Sequence, residues 1–172
     1  MKQILKAFII LNSSFLVINC AKAQPLKPIK AFTNADTLRG TYGTSRDWWD
    51  VLKYDLHVKF NLSDSSISGW NAIQYKAVKF GKKMQIDLQE GLTIDSIVWY
   101  LPDGSRNYIV GNNLNHEGNA YFFPYSVNHL NIIETMHIYY HGKPRIAIRP
   151  PWDGGLILKK DEKNNPFVSL AC

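Results

Sequence analysis

Leu52-Lys53-Tyr54-Asp55-Leu56-His57-Val58-Lys59-Phe60-Asn61-Leu62 alternates without a break, apolar at even positions and polar at odd ones. Successive side chains of a strand point to opposite faces, so this stretch predicts a strand with one buried and one wet face. Ser63-Asp64-Ser65-Ser66 follows, a run of short polar side chains that hydrogen-bond a turning backbone. Extended patterning resumes at Ile67 and reaches Val78, so 52–78 reads as an antiparallel hairpin.

Outward from the hairpin the same period recurs. Met84-Gln85-Ile86-Asp87-Leu88 alternates and is punctuated by Glu90-Gly91. Residues 92–101 form another strand pattern, closed by Pro102-Asp103-Gly104, a strong turn signal. Short candidates at 108–110 and 120–123 flank the Asn- and Gly-rich stretch 111–119, and 130–141 is strand-like up to Gly142. No apolar repeat of 3.6 residues occurs between Asp47 and His141, so no core helix is expected there. Strands at this spacing imply an all-β domain, an antiparallel sandwich or a related twisted sheet. Residues 166–172 enter a further strand with no turn, cap or polar tail behind it, the pattern expected of a chain truncated at its C-terminal end, the alternative being a docked terminal strand.

The chain has 172 residues, 45% of them hydrophobic and 20% charged, which suits one globular domain and excludes a disordered or collagen-like chain. Its start has a different character. Lys2 and Lys6 precede an apolar run over 7–19, and Ala21-Lys22-Ala23 is a small-x-small cleavage signal. That is the layout of a secretory signal peptide at 1–23, too short to persist as a membrane span. Export places the protein in the periplasm or outside the cell; lipoprotein processing at Cys20 fits less well, because Asn19 is not the small residue wanted before a lipidated cysteine. Cleavage removes three lysines and no acid, so the formal charge falls from +6 to +3, too little to argue for nucleic acid. Cys20 is also lost, leaving Cys172 as a lone thiol. Residues 24–46 read as an N-terminal extension lying along the surface of a β domain at 47–172.

Catalytic signatures are missing from the chain. His137 and His141 have the spacing of a zinc-binding pair, but that motif needs a helix and a glutamate where Ile138 stands. On a strand, residues four apart lie about 13 Å from each other, beyond chelation of one metal. No nucleophile elbow, phosphate loop or dinucleotide fingerprint occurs. The scattered carboxylates read as a wet strand face rather than a glycosidase pair. One segment stands apart: Arg149-Pro150-Pro151-Trp152-Asp153-Gly154-Gly155, with prolines on its approach, glycines on its exit and a tryptophan between them. It is either a loop that docks a neighbouring surface or lines a site edge, or a rigid turn whose Trp152 caps the end of the barrel or sandwich. Trp48, Trp49, Trp99 and Trp152 would, if exposed, also suit a secreted carbohydrate- or ligand-binding module.

Taken in order, Asp36-Thr37-Leu38-Arg39-Gly40, Arg46-Asp47-Trp48-Trp49-Asp50-Val51 and Tyr54-Asp55-Leu56 resemble the start of exported zinc aminopeptidases of the aminopeptidase N family, peptidase family M1. Met84-Gln85-Ile86-Asp87-Leu88-Gln89, Ile94-Asp95-Ser96-Ile97, the Pro150 to Gly155 loop and Val168-Ser169-Leu170-Ala171-Cys172 continue it in the same order. The resemblance implies a saddle-like N-terminal β domain that precedes a thermolysin-like catalytic domain in cis. It implies zinc and peptide substrates for the parent enzyme, but no catalytic residue and no metal ligand in this chain, which should be inactive alone. It places Cys172 beside the substrate rim, and Trp152, Asp153, Gly154 and Gly155 in a loop at the domain interface.

Overall fold

The computed structural model describes residues 31–100 and 104–171; the expected signal peptide at 1–23, Cys20, Pro102, Asp103 and Cys172 lie outside them. Local sequence signals account for most of the elements. A short helix, α1 (Asn34–Gly40), begins in a capping box: the Thr33 hydroxyl accepts from the Asp36 amide, and the Asp36 carboxylate accepts from the Thr33 amide. The chain then enters strands β1 (Trp49–Asn61) and β2 (Ser66–Ala77), the expected hairpin. At its turn, Asn61 and Asp64 accept from the amides of Ser63 and Ser66 at 3.2 and 3.1 Å. Ser65 takes the left-handed conformation there, with φ of 61°.

The later strands are β3 (Lys83–Asp87), β4 (Leu92–Tyr100), β5 (Arg106–Val110), β6 (Asn115–Glu117), β7 (Ala120–Pro124), β8 (Ile133–Gly142), β9 (Gly155–Lys160) and β10 (Pro166–Ala171). They form three antiparallel sheets among the described residues: β1-β2-β8-β4-β5, β3-β7-β6, and the hairpin β9-β10. The fold is therefore all-β, as the alternation predicts. Three of these elements lie outside that reading, and one of them, β6, falls within the stretch 111–119 that reads as a connection. α1 has no apolar periodicity, so only its cap pair betrays it. β9 runs Gly-Leu-Ile-Leu-Lys-Lys without alternation, and it becomes a strand by pairing with β10.

The core is one cluster drawn from the two larger sheets. Ile73 and Tyr75 of β2, Ile94 and Ile97 of β4, and Met136 and Ile138 of β8 meet Met84, Ile86, Tyr121 and Phe123 of the smaller sheet. Trp48 and Trp49 close it, with Trp48 wholly buried. The covering sheet is much shorter than the sheet it covers. At about 3.3 Å per residue, the 13 residues of β1 extend roughly 43 Å and the five of β3 roughly 17 Å. The inner face of β1 therefore lies largely beyond the cover.

That mismatch corrects one expectation. Leu52, Tyr54, Leu56, Phe60 and Leu62 were expected on a buried face, yet all five are exposed, Leu56 to 62%. From Tyr54 to Phe60 the alternation assigns the row to the correct side of the sheet, but no second layer reaches it; at the bulge Leu52 falls out of register and Val51 packs against the core instead.

Candidate functional site

Two places could serve a function. The first is the loop between Arg149 and Gly155. Its conformation follows from Asp153, whose Oδ2 accepts from the backbone amides of Ile148 and Arg149 at 2.6 and 2.9 Å. The Arg149 amide, followed by that of Ile148, holds the Asp153 carboxyl below the ordinary carboxylate range. The Trp152 amide donates to Arg149 O at 2.9 Å and closes the turn. Gly155 then takes φ of 127°, and a Cβ there would stand 2.8 Å from Arg145 O. Only glycine lets the strand leave the loop this close to the chain opposite.

The result is a rigid base under an exposed ring. Trp152 is 87% exposed and Ile148 82%, so the tryptophan does not cap the sandwich end. Trp152→Ala should leave the urea midpoint nearly unchanged, within about 0.5 kcal/mol, as for an ordinary surface site. Asp153→Ala should instead loosen the loop and lower the fluorescence anisotropy of Trp152. Unchanged anisotropy would show that the carboxylate does not hold the turn. Acidification should act in the same direction. The contribution of Asp153 is complete above the ordinary aspartate range and is lost as pH falls through the depressed value of the folded state.

The second place is the open groove, about 670 Å³, between the inner face of β1 and β2 and the edge of β3. Tyr54, Leu56 and Val58 line one wall, Ile86 and Leu88 the other, and Ile73, Ile138 and Tyr140 the floor. At one rim Arg46 is ion-paired with Asp87. Within the groove, Asn71 Oδ1 is buried without a hydrogen-bond partner among the described residues.

The remaining sequence candidates fall elsewhere. Trp48 and Trp49 are buried core residues, so two of the four tryptophans named as stacking platforms are closed off, and Trp99 is partly buried against the core. His137 and His141 stand on β8; His137 stacks on Trp70, and His141 Nδ1 lies 2.6 Å from Asp95. No group of three His, Cys, Asp or Glu side chains able to hold a metal occurs among the described residues. The groove itself is what sequence reasoning missed. Its residues were legible as a row, and its openness depends on the length of a distant sheet.

No family model matches the chain, and no curated protein matches it. Solved structures do. The M1 zinc metallopeptidase from Deinococcus radiodurans aligns over 67% of this chain and 26% of its own, at 20% identity and a TM-score of 0.45. Native leukotriene A4 hydrolase from Saccharomyces cerevisiae aligns over 71% of this chain and 19% of its own, at 19% identity and a TM-score of 0.46. This chain spans about a quarter of the length of the first and a fifth of the second.

Proposed function

We propose that this chain is the non-catalytic N-terminal β domain of an exported zinc aminopeptidase, whose parent releases N-terminal residues from peptides. The observation that carries the reading is the order of the matching segments along one chain. They run from Asp36 through the Trp48-Trp49 step and Met84–Leu88 to the Pro-Pro-Trp-Asp-Gly-Gly loop and the Val168–Ala171 strand. No zinc site is assigned to the described residues, which hold no suitable ligand cluster, and no chemical step is routed through them. Their work is architectural: a β domain that braces a catalytic domain in cis. The rigid loop presents Trp152 as the surface that meets that domain. Cys172, at the end of the last matching segment, stands near the substrate rim in this reading.

The test is enzymatic and optical. Purified chain with zinc added should give no turnover of aminoacyl-coumarin reporters, and its tryptophan fluorescence should not respond to soluble xylan or laminarin. Chelator-sensitive turnover by pure material would overturn the non-catalytic assignment. Saturable quenching by a polysaccharide would replace it with a carbohydrate-binding module.

A further inference from the structure

β1 is the edge of the five-stranded sheet, and no described strand pairs with its outer side. A long edge strand with unpaired amides and carbonyls is a template for another strand, and proteins ordinarily blunt such edges with bulges or breaks. β1 has one irregularity, between Val51 and Lys53, which leaves 54–61 regular in its pairing to β2. The exposed apolar row lies on the groove side of that regular stretch. Edge and row together ask for a strand whose own apolar side chains fall on the same face.

We propose that β1 pairs with β1 of a second copy of this chain, antiparallel and centred on His57. The register follows from the charges on the other face, Lys53, Asp55 and Lys59. Centring on Leu56 sets Lys53 opposite Lys59, and centring on Asp55 sets Asp55 opposite itself. Centring on Val58 gives no pair of opposite charge. Centring on His57 sets Asp55 of each copy opposite Lys59 of the other. It also sets Tyr54 against Phe60 and Leu56 against Val58 on the groove face. Opposite charges directly across an antiparallel pair stabilise it, like charges destabilise it, and aromatic pairs add to it. Within one chain these charges face small neighbours: Asp55 lies opposite Ala72 of β2, and Lys59 opposite Ser68. Lys59 makes no ion pair among the described residues, while Asp55 has only His57 Nε2 at 3.2 Å. The assembly is a continuous ten-stranded sheet about a two-fold axis, and the paired edge is withdrawn from solvent.

Sedimentation equilibrium of the full chain at pH 8, with reductant to prevent cysteine cross-links, should give twice the chain mass at micromolar concentration. Asp55→Lys and Lys59→Asp each convert both cross-strand pairs to like charges, and each should weaken the dimer by about tenfold or more. Both sites are exposed, so circular dichroism should be unchanged. Mixing the two variants restores opposite charges across the dyad, and their heterodimer should recover the parental affinity. A monomeric parent chain overturns the proposal. So does a dimer indifferent to both reversals, or two variants that fail to rescue each other.

Discussion

Trp48→Ala should lower the unfolding free energy by about 3–5 kcal/mol, the range for removing a fully buried aromatic side chain. Small domains have only about 5–15 kcal/mol in total, so this variant should sit near its unfolding threshold at room temperature. The ring has no solvent exposure. It stacks on Tyr125 with centroids 5.2 Å apart and leans on Trp49 at 6.3 Å. Its indole N–H donates to Lys83 O at 2.8 Å, and Trp48 O accepts from the Val78 amide at 2.8 Å. One residue therefore fastens the entry to β1, the exit of β2 and the start of β3. The surroundings have little room to close over the cavity, since Gly81 already lies so near that a Cβ there would come within 2.3 Å of the ring. Trp48→Phe keeps most of the volume and removes the hydrogen bond, so its cost should be smaller, with about 1–3 kcal/mol of it from the carbonyl left unpaired. Urea titration followed by circular dichroism measures both. A loss under about 1 kcal/mol for the alanine variant would show that Trp48 does not hold the core together.

Stability should also fall steeply once pH passes about 10, the ordinary value for a tyrosine phenol. Tyr75 and Tyr125 share a largely buried cluster with Glu134: the Tyr75 hydroxyl donates to that of Tyr125 at 2.8 Å, Tyr125 donates to Glu134 Oε2, and the Tyr75 oxygen lies 2.9 Å from the same carboxylate oxygen. Burial, followed by the hydrogen bond to Tyr125, raises the Tyr75 phenol far above its usual range. Burial and the bond to Glu134 do the same for Tyr125. The folded chain therefore keeps both protons at a pH where the unfolded chain gives them up. The stabilisation is complete below the unfolded value and declines above it, by up to about 1.4 kcal/mol per pH unit for each tyrosine. The denaturation midpoint should hold up to about pH 9.5 and then drop. The Tyr75→Phe, Tyr125→Phe double variant should show a shallower drop. A parental midpoint that stays level through pH 11 would contradict the sealed cluster.

The sequence resemblance and the open face of β1 concern different surfaces of one small domain. The Trp152 loop leads into β9, whereas the free edge belongs to β1, in a different sheet. Charge reversal at Asp55 or Lys59 tests the edge without touching the loop, and Trp152→Ala tests the loop without touching the edge.

Much of the fold was legible because strand formation leaves a local trace. The Leu52 to Leu62 alternation, the Ser63 to Ser66 turn and the Met84 to Leu88 repeat each fall on the expected element. β9 left no trace, because its apolar residues run together and its extended form rests on a partner some ten residues on. The candidate site was half legible. Pro150 to Gly155 announced a shaped loop, but nothing local separates Trp152, at 87% exposure, from Trp48, at none. Both are tryptophans in short polar-flanked segments, and whether a ring is buried depends on residues far away in the chain.

The same division holds for the whole molecule. Sequence alone determined where most of the strands lie, which side the regularly alternating residues face and where the hairpin turns, because a period of two and the geometry of a turn are properties of neighbouring residues. Only the tertiary structure decided which apolar face is covered. A strand of 13 residues meets a covering sheet whose strands are five residues or shorter, and that mismatch leaves the Leu56 row and the β1 edge open.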